Sequence, residues 1–340
     1  MSLGGQPVVS VCLPTYNRSK MLREAVASVL SQTLHNFELI VSDNASEDDT
    51  EEVVRSFKDP RIVYMRNSRN IGMTANINKC FATAKGEFIA LCPDDDLMLP
   101  SNLARKVELL KRVPTMGLVH SRFHVVDEHG TIVRADTNWG HGPERELDAV
   151  EPGRVFLRRM LTGFCEVNPV TAVFRRACFE RLGGFDESFR HTDDYEYWMR
   201  LAVYYDVGYV AEPLAMWRVH SQTHTSKYMA GGKTGSSAES LRDQLRAKHK
   251  ILNTYKRDIV DAEELRRLVR LETGERVAFQ ADSMLDHGTC KAEVRKFLRS
   301  MARTFPCLLT LAIYWKTRLK ASINRRGIDA LKKLRHSISH

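Results

Sequence analysis

The sequence has no Cys-x-x-Cys pair, no glycine-rich phosphate fingerprint after its first strand and no apolar run long enough to cross a bilayer. Seven cysteines, at 12, 80, 92, 165, 178, 290 and 307, lack zinc or disulfide spacing and read as reduced core residues of a cytosolic protein. Where a dinucleotide-dependent oxidoreductase would carry Gly-x-Gly-x-x-Gly, this chain has Pro14-Thr15-Tyr16-Asn17, which argues against that class. The longest markedly apolar stretch, Cys307 to Trp315, falls far short of the roughly 20 residues a spanning helix needs. Met1 to Gln6 offers no basic segment leading into an apolar one, so no signal peptide is expected, and residues 1–6 are expected to be disordered or left over from cloning. Acidic residues are scarce near the end: residues 291–340 hold 13 Lys/Arg against two Asp/Glu, so the chain's formal charge of +9 belongs to its tail. No nucleic-acid-binding module accompanies that charge, and nucleic acid is not expected as a partner.

What is present is an alternation of apolar strands and amphipathic helices from residue 8 onward, the pattern of a mostly parallel sheet covered on both faces. Strands are predicted at Val8–Leu13, Phe37–Val41, Arg61–Met65 and Glu87–Cys92, and each ends in polar residues at its carboxyl edge, where open α/β sheets bind ligands. Asp127-Glu128-His129-Gly130 predicts a hairpin turn, and a short strand is expected at Val207–Val210. From about Ser237 helical spacing takes over, which predicts a helical, basic C-terminal region over 236–340 appended to an α/β domain over 7–235 through Gly231 to Gly235.

The densest chemical signal is Cys92-Pro93-Asp94-Asp95-Asp96, where an apolar strand runs directly into three carboxylates. They repel one another unless a cation sits among them, and hard oxygen ligands favour Mg²⁺ or Mn²⁺. The competing local reading is a solvated acidic turn that caps the next helix.

Six blocks then stand in order: Val9 to Arg18, Phe37 to Ser46, Asn70-Ile71-Gly72, Cys92 to Pro100, Gly183-Gly184-Phe185-Asp186-Glu187, and Thr192-Asp193-Asp194-Tyr195-Glu196-Tyr197-Trp198. Together they resemble family 2 glycosyltransferases over roughly residues 7–226. The resemblance implies a GT-A fold, a nucleotide-diphospho-sugar donor, a divalent metal and inversion at the anomeric carbon. It places Pro14, Thr15 and Tyr16 around the nucleoside, Asp43 or Asn44 as its hydrogen-bonding partner, and Arg69 and Asn70 beside it. It matches Asp95 to the principal metal ligand, with Asp94 and Asp96 at ribose, metal or donor sugar. Pro93 stands where the family often has an acidic residue.

In the same way the resemblance matches Asp194 to the catalytic base, with Asp193 before it, and sets Arg218 near a phosphate and His220 near the metal. The locally equivalent reading of Asp193 and Asp194 is favourable charge in a helix's first turn. The Gln-x-x-Arg-Trp block of processive synthases is missing, so transfer of a single sugar is expected, from a UDP-sugar to a glycan or lipid-linked hydroxyl in cell-envelope polysaccharide or glycoconjugate synthesis. A non-catalytic nucleotide-sugar-binding protein on the same fold is the alternative. The tail, with its short apolar run beside clustered cations, suits either an anionic membrane surface at the inner face of the membrane or a homo-oligomer interface.

Overall fold

The computed structural model describes residues 5–137, 146–220 and 238–322. The expectations resting on residues 1–4, on the loop at 138–145, on the Gly231–Gly235 connection and on the basic residues from 323 onward lie outside that range.

The first half of the chain folds as its pattern predicts. Strand β1 (Val9–Thr15), helix α1 (Ser19–Leu30), β2 (Phe37–Asp43), α2 (Thr50–Ser56), β3 (Ile62–Arg66), α3 (Met73–Thr83) and β4 (Phe88–Leu91) alternate in sequence. The four strands pair in parallel in the order β3-β2-β1-β4. β1, β2 and β4 are buried almost throughout, because helices cover both of their faces. Their carboxyl ends consequently converge on one edge.

The second half is mixed. Short β5 (Leu97–Met98) follows the acidic turn, then α4 (Asn102–Arg112), β6 (Met116–Val126), β7 (Ile132–Thr137), β8 (Ala149–Glu151), α5 (Gly153–Thr162), β9 (Val173–Arg175), α6 (Arg176–Leu182), α7 (Asp193–Ala202) and β10 (Asp206–Arg218). The sheet continues through β9-β6-β10-β5, with β7 beside β6 and β8 beside β10. β10 is far longer than the expected Val207–Val210: it runs on through Pro213 by register shifts against β6 and ends at Arg218, next to the acidic turn.

Helices α8 (Ala238–Thr254), α9 (Ala262–Asp286), α10 (Lys291–Thr304) and α11 (Ala312–Lys320) complete the described chain. Their own core centres on Leu245, Val277, Leu298 and Tyr314. Ala247, Ile251 and Leu252 of α8, with Leu265 and Val269 of α9, instead join Tyr197, Trp198 and Phe156 in the core beneath the sheet. All seven cysteines are free, and Cys12, Cys80, Cys92 and Cys178 are buried.

Candidate active site

The turn from β4 to β5 buries Asp94, Asp95 and Asp96 together, each no more than 9% exposed. Neighbouring strand ends supply their partners. From the end of β1, the Thr15 hydroxyl donates to Asp94 Oδ2 at 2.8 Å and the Tyr16 amide to the same oxygen at 3.4 Å. Arg18 Nη1 reaches both Asp94 Oδ1, at 2.9 Å, and Asp95 Oδ2, at 2.8 Å. From beyond β10, His220 Nε2 lies 3.2 Å from Asp95 Oδ2.

These partners divide the three carboxyls electrostatically. Burial, followed by the charge of Asp95, pushes Asp94 up to about 6 against the opposing pull of Arg18 and Thr15. Burial acts on Asp95 too, but the His220 hydrogen bond and the Arg18 charge outweigh it and hold this carboxyl below its ordinary range. Asp96 is pushed well above that range by burial and then by Asp95. Asp95 is therefore the carboxyl of the three most readily held as an anion.

One expectation at this turn needs correction. Arg218 does not present its guanidinium to a phosphate: it is 1% exposed, and its nitrogens donate to the Asp95 carbonyl at 3.0 Å, the Glu128 carbonyl at 2.9 Å and Glu24 Oε2 at 2.5 Å. It ties the acidic turn to α1 and to the β6–β7 hairpin. Asp96, expected as a metal ligand, has its Oδ1 turned towards β10, where it accepts from the Arg218 backbone N–H at 2.9 Å.

The ends of β2 and β3 form a second cluster, joined to the first by the Asn44 N–H, which donates to the Thr15 carbonyl at 2.9 Å. Asp43 accepts from the Ser46 amide at 2.8 Å and the Tyr64 hydroxyl at 2.7 Å, with Arg66 Nε 3.6 Å away. A carboxylate has room for more partners than these. Asn44, by contrast, is committed: its Oδ1 accepts from Asn67 and the Ile71 amide, and its Nδ2 donates to Asn70 Oδ1 and the Gly72 carbonyl. Asn44 and Asn70 thus shape the turn into α3, Asn44 buried and Asn70 exposed. Arg69 is exposed, and the Tyr16 ring is 43% exposed at the sheet edge, open to stack on a planar base.

The third cluster sits at the start of α7. Asp193 Oδ2 accepts from the Thr74 hydroxyl of α3 at 2.7 Å, and Asp194 Oδ1 accepts from the Tyr195 amide at 2.7 Å. Burial, then the adjacent Asp193 charge, raises Asp194 to about 7, while burial raises Asp193 as well. The first turn is held from below by Phe185, Tyr197 and Trp198, whose rings pack edge to face or tilted with centroids 5.2 to 5.8 Å apart. Asp186 is part of this support, paired with Lys250 of α8 at 2.6 Å.

Sequence reasoning missed Arg18, Tyr64, Arg66 and Thr74. Arg18 closes the Pro14-Thr15-Tyr16-Asn17-Arg18 block and could have been found there; the other three carry no local signal.

Among the described residues, no group of three or more His, Cys, Asp or Glu is already arranged as a metal shell. The available donors are Asp95 Oδ2 and His220 Nε2, beside two further buried carboxyls. A carboxylate and an imidazole suit Mn²⁺ or Mg²⁺ when substrate oxygens and water complete the shell.

The profile of Glycosyl transferase family 2 matches residues 10–182, half of the chain. The uncharacterized glycosyltransferase MJ1057 of Methanocaldococcus jannaschii is 31% identical over 219 residues, covering 63% of this chain and 71% of that relative. Among solved structures, residues 1–349 of TarS from S. aureus, in complex with UDP-GlcNAc, align with a TM-score of 0.65 at 16% identity over 88% of this chain and 81% of that one. The mannosyltransferase PcManGT from Pyrobaculum calidifontis, in complex with GDP-Man and Mn²⁺, aligns with a TM-score of 0.54 at 17% identity over 94% and 87%.

Proposed function

The chain belongs to glycosyl transferase family 2 and is a glycosyltransferase, and from that premise we propose that it is an inverting, metal-dependent enzyme that moves one sugar from a UDP-sugar to a hydroxyl of a glycan or lipid-linked acceptor in cell-envelope synthesis. The observation that carries the reading is the pairing of two unlike carboxyl sites along one sheet edge: a charged Asp95 beside His220, and an Asp194 that titrates near neutrality.

Tyr16 stacks on the nucleobase and Asp43 accepts from its N–H edge. Asp95 and His220 hold the divalent cation. When bound, the cation supplies charge neutralisation at the departing diphosphate. Asp194 accepts the proton of the attacking hydroxyl; a base titrating near 7 is both substantially deprotonated at neutral pH and basic enough to take that proton. The Thr74 hydrogen bond holds Asp193 in place behind it. Burial at the α7 terminus keeps Asp194 from the lower value it would have in water.

Among the described residues, no helix is long and apolar enough to cross a membrane. Leu309, Trp315 and Leu319 are nonetheless exposed around α11, near Lys316 and Arg318. This face, with the basic tail, rests on an anionic membrane surface where a lipid-linked acceptor is presented; a protein that does not sediment with anionic liposomes contradicts the assignment.

A thermal-shift panel of UDP, GDP, dTDP and CMP with and without Mn²⁺ tests the donor and the cation together, because a ligand bound only by the folded state raises the melting temperature. A Mn²⁺-dependent rise with UDP, lost in Asp95→Ala, is expected. No rise with any nucleotide overturns the reading.

A further inference from the structure

Asp193 and Asp194 stand side by side at the start of α7, and two adjacent carboxyls sheltered from water do not both ionise cheaply, so over a range of pH the pair shares one proton. They differ in depth and in partners. Asp193 is 5% exposed and both of its oxygens are taken, Oδ2 by the Thr74 hydroxyl at 2.7 Å and Oδ1 by the Asp194 amide at 3.1 Å. Asp194 is partly exposed and has one donor among the described residues, the Tyr195 amide on Oδ1. No cation among those residues pairs with either carboxyl. Of the other titratable groups nearby, Glu196 on α7 itself is occupied by Arg200 and Lys250, and the Cys165 thiol, from the segment after α5, is pushed well up by burial and then by Asp194.

Depth alone would leave the proton on Asp193, because burial disfavours the charged form. The Thr74 hydroxyl opposes this, since a donor to a carboxylate favours its charge. Asp193 Oδ2 is the one acceptor this hydroxyl has among the described residues. The helix that carries it is anchored on two sides. Asn76 of α3 donates to the Ser42 carbonyl at 2.8 Å and accepts from Ser42 Oγ at 2.7 Å, which ties α3 to β2. Asn78, one turn on from Thr74 and on the same face, holds the Phe185 amide at 2.8 Å and the Phe185 carbonyl at 2.9 Å, which ties α3 to the turn before α7. The contact between Thr74 and Asp193 is therefore set by both anchors.

We propose that Thr74 is a positioning residue that selects the base: its hydroxyl, given to Asp193, keeps that buried carboxylate charged and makes Asp194 the carboxyl of the pair that takes the proton of the attacking hydroxyl. The inference rests on the reading of Asp194 as base. A charged Asp193 strengthens Asp194 as a base through its field, and its own two occupied oxygens are not offered to the acceptor. Without the Thr74 hydroxyl the proton passes to Asp193, the neighbouring charge is lost, and Asp194 becomes a weaker base that ionises at lower pH.

The test compares the full-length chain with Thr74→Val, which keeps the side chain's shape but not its hydroxyl, and Thr74→Ser, which keeps the hydroxyl but not the methyl. Nuclear magnetic resonance of ¹³C-labelled aspartate carboxyls, assigned through Asp193→Asn and Asp194→Asn, follows both titrations with no ligand present. In the unmodified chain and in Thr74→Ser, Asp193 should release its proton before Asp194. In Thr74→Val the order should reverse, with the Asp194 midpoint lower by about one pH unit. Release of nucleoside diphosphate from the donor picked out by the nucleotide panel should fall about tenfold in Thr74→Val, its rising limb moved to lower pH and the KM for donor within about twofold of the unmodified value. An unchanged order of titration or an unchanged turnover in Thr74→Val overturns the inference, and so does a Thr74→Ser that behaves like Thr74→Val. In those cases a turnover still lost in Asp194→Asn leaves the assignment of the base standing; turnover retained in Asp194→Asn overturns that assignment and the role of Thr74 with it. Should Thr74→Val not melt cooperatively, Thr74→Ala replaces it and is judged by the same outcomes.

Discussion

At Asp194, burial and the neighbouring Asp193 act in the same direction and bring the carboxyl to about 7. Turnover should therefore rise with pH through about 7 and level off above it, and this limb should be absent from the residual activity of Asp194→Asn. Stability should follow the opposite course. The folded value lies above the unfolded value of about 3.9, so between about 4 and 7 the native state binds more protons than the unfolded one, and stability falls as pH rises through that window. Melting temperatures measured from pH 5 to 8 should show a shallower slope in Asp194→Asn. A slope unchanged by the substitution contradicts this account of the group. Single residues were legible in the sequence where a motif names them, as with Asp94, Asp95 and Asp194. They were not legible where a partner comes from a distant strand: nothing beside Arg218 announces that Glu24 and the Glu128 carbonyl will occupy it. Asn44 was similarly hidden, because its four hydrogen bonds are made to residues 23 to 28 positions away.

Among the elements, α7 is positioned from its N-terminal side by the Gly183-Gly184-Phe185 turn. Gly183 has φ 78°, and a Cβ on Gly184 would lie 2.2 Å from Asn78 Oδ1. That oxygen accepts from the Phe185 amide at 2.8 Å, while Asn78 Nδ2 donates to the Phe185 carbonyl at 2.9 Å. Gly184→Ala must break this clamp, and we expect it to cost about 1–3 kcal/mol in a denaturant melt. Unchanged stability would mean that the turn does not depend on the clamp. Periodicity showed β1, β2 and β4 because both of their faces are buried, and β3, half-exposed at the end of the sheet order, through its Ile62-Val63-Tyr64-Met65 run. It truncated β10, whose Glu212-Pro213 looks like an end; pairing with β6 carries the strand past the proline by shifting register. β5, only two residues long, offers no period at all.

For the molecule as a whole, the C-terminal helices share the core of the α/β layers. Ile251 and Leu252 pack in one cluster with Trp198 and Phe156, and a chain ending at residue 236 would expose those rings. Such a truncation should lose the cooperative melt, whereas an intact melt at the full-length temperature would show the helices to be dispensable. Lys248 pins the same seam, fully buried, with Nζ donating to the Gly163 carbonyl at 2.8 Å and to both oxygens of Glu272 at 2.5 and 2.7 Å. Lys248→Ala takes both lysine hydrogen bonds from Glu272, whose remaining ion partner is Arg276 Nη1 at 3.6 Å, and should cost about 1–3 kcal/mol, with Lys248→Met/Glu272→Leu recovering most of it. The sequence distinguished the helical half from the α/β half, but not their common core, because α8 reads as amphipathic whichever surface it packs against.

The central claim is that Asp194 is the base while Asp95 serves the donor end. It is tested most directly by measuring release of nucleoside diphosphate from the donor picked out by the nucleotide panel, in the unmodified chain and in Asp194→Asn, alongside Mn²⁺-dependent nucleotide binding in both. We predict that Asp194→Asn loses about 10²- to 10⁴-fold in turnover, the range general base catalysis supplies, with its nucleotide-dependent melting shift intact. Retained turnover, or a loss of binding as large as the loss of rate, would contradict the account.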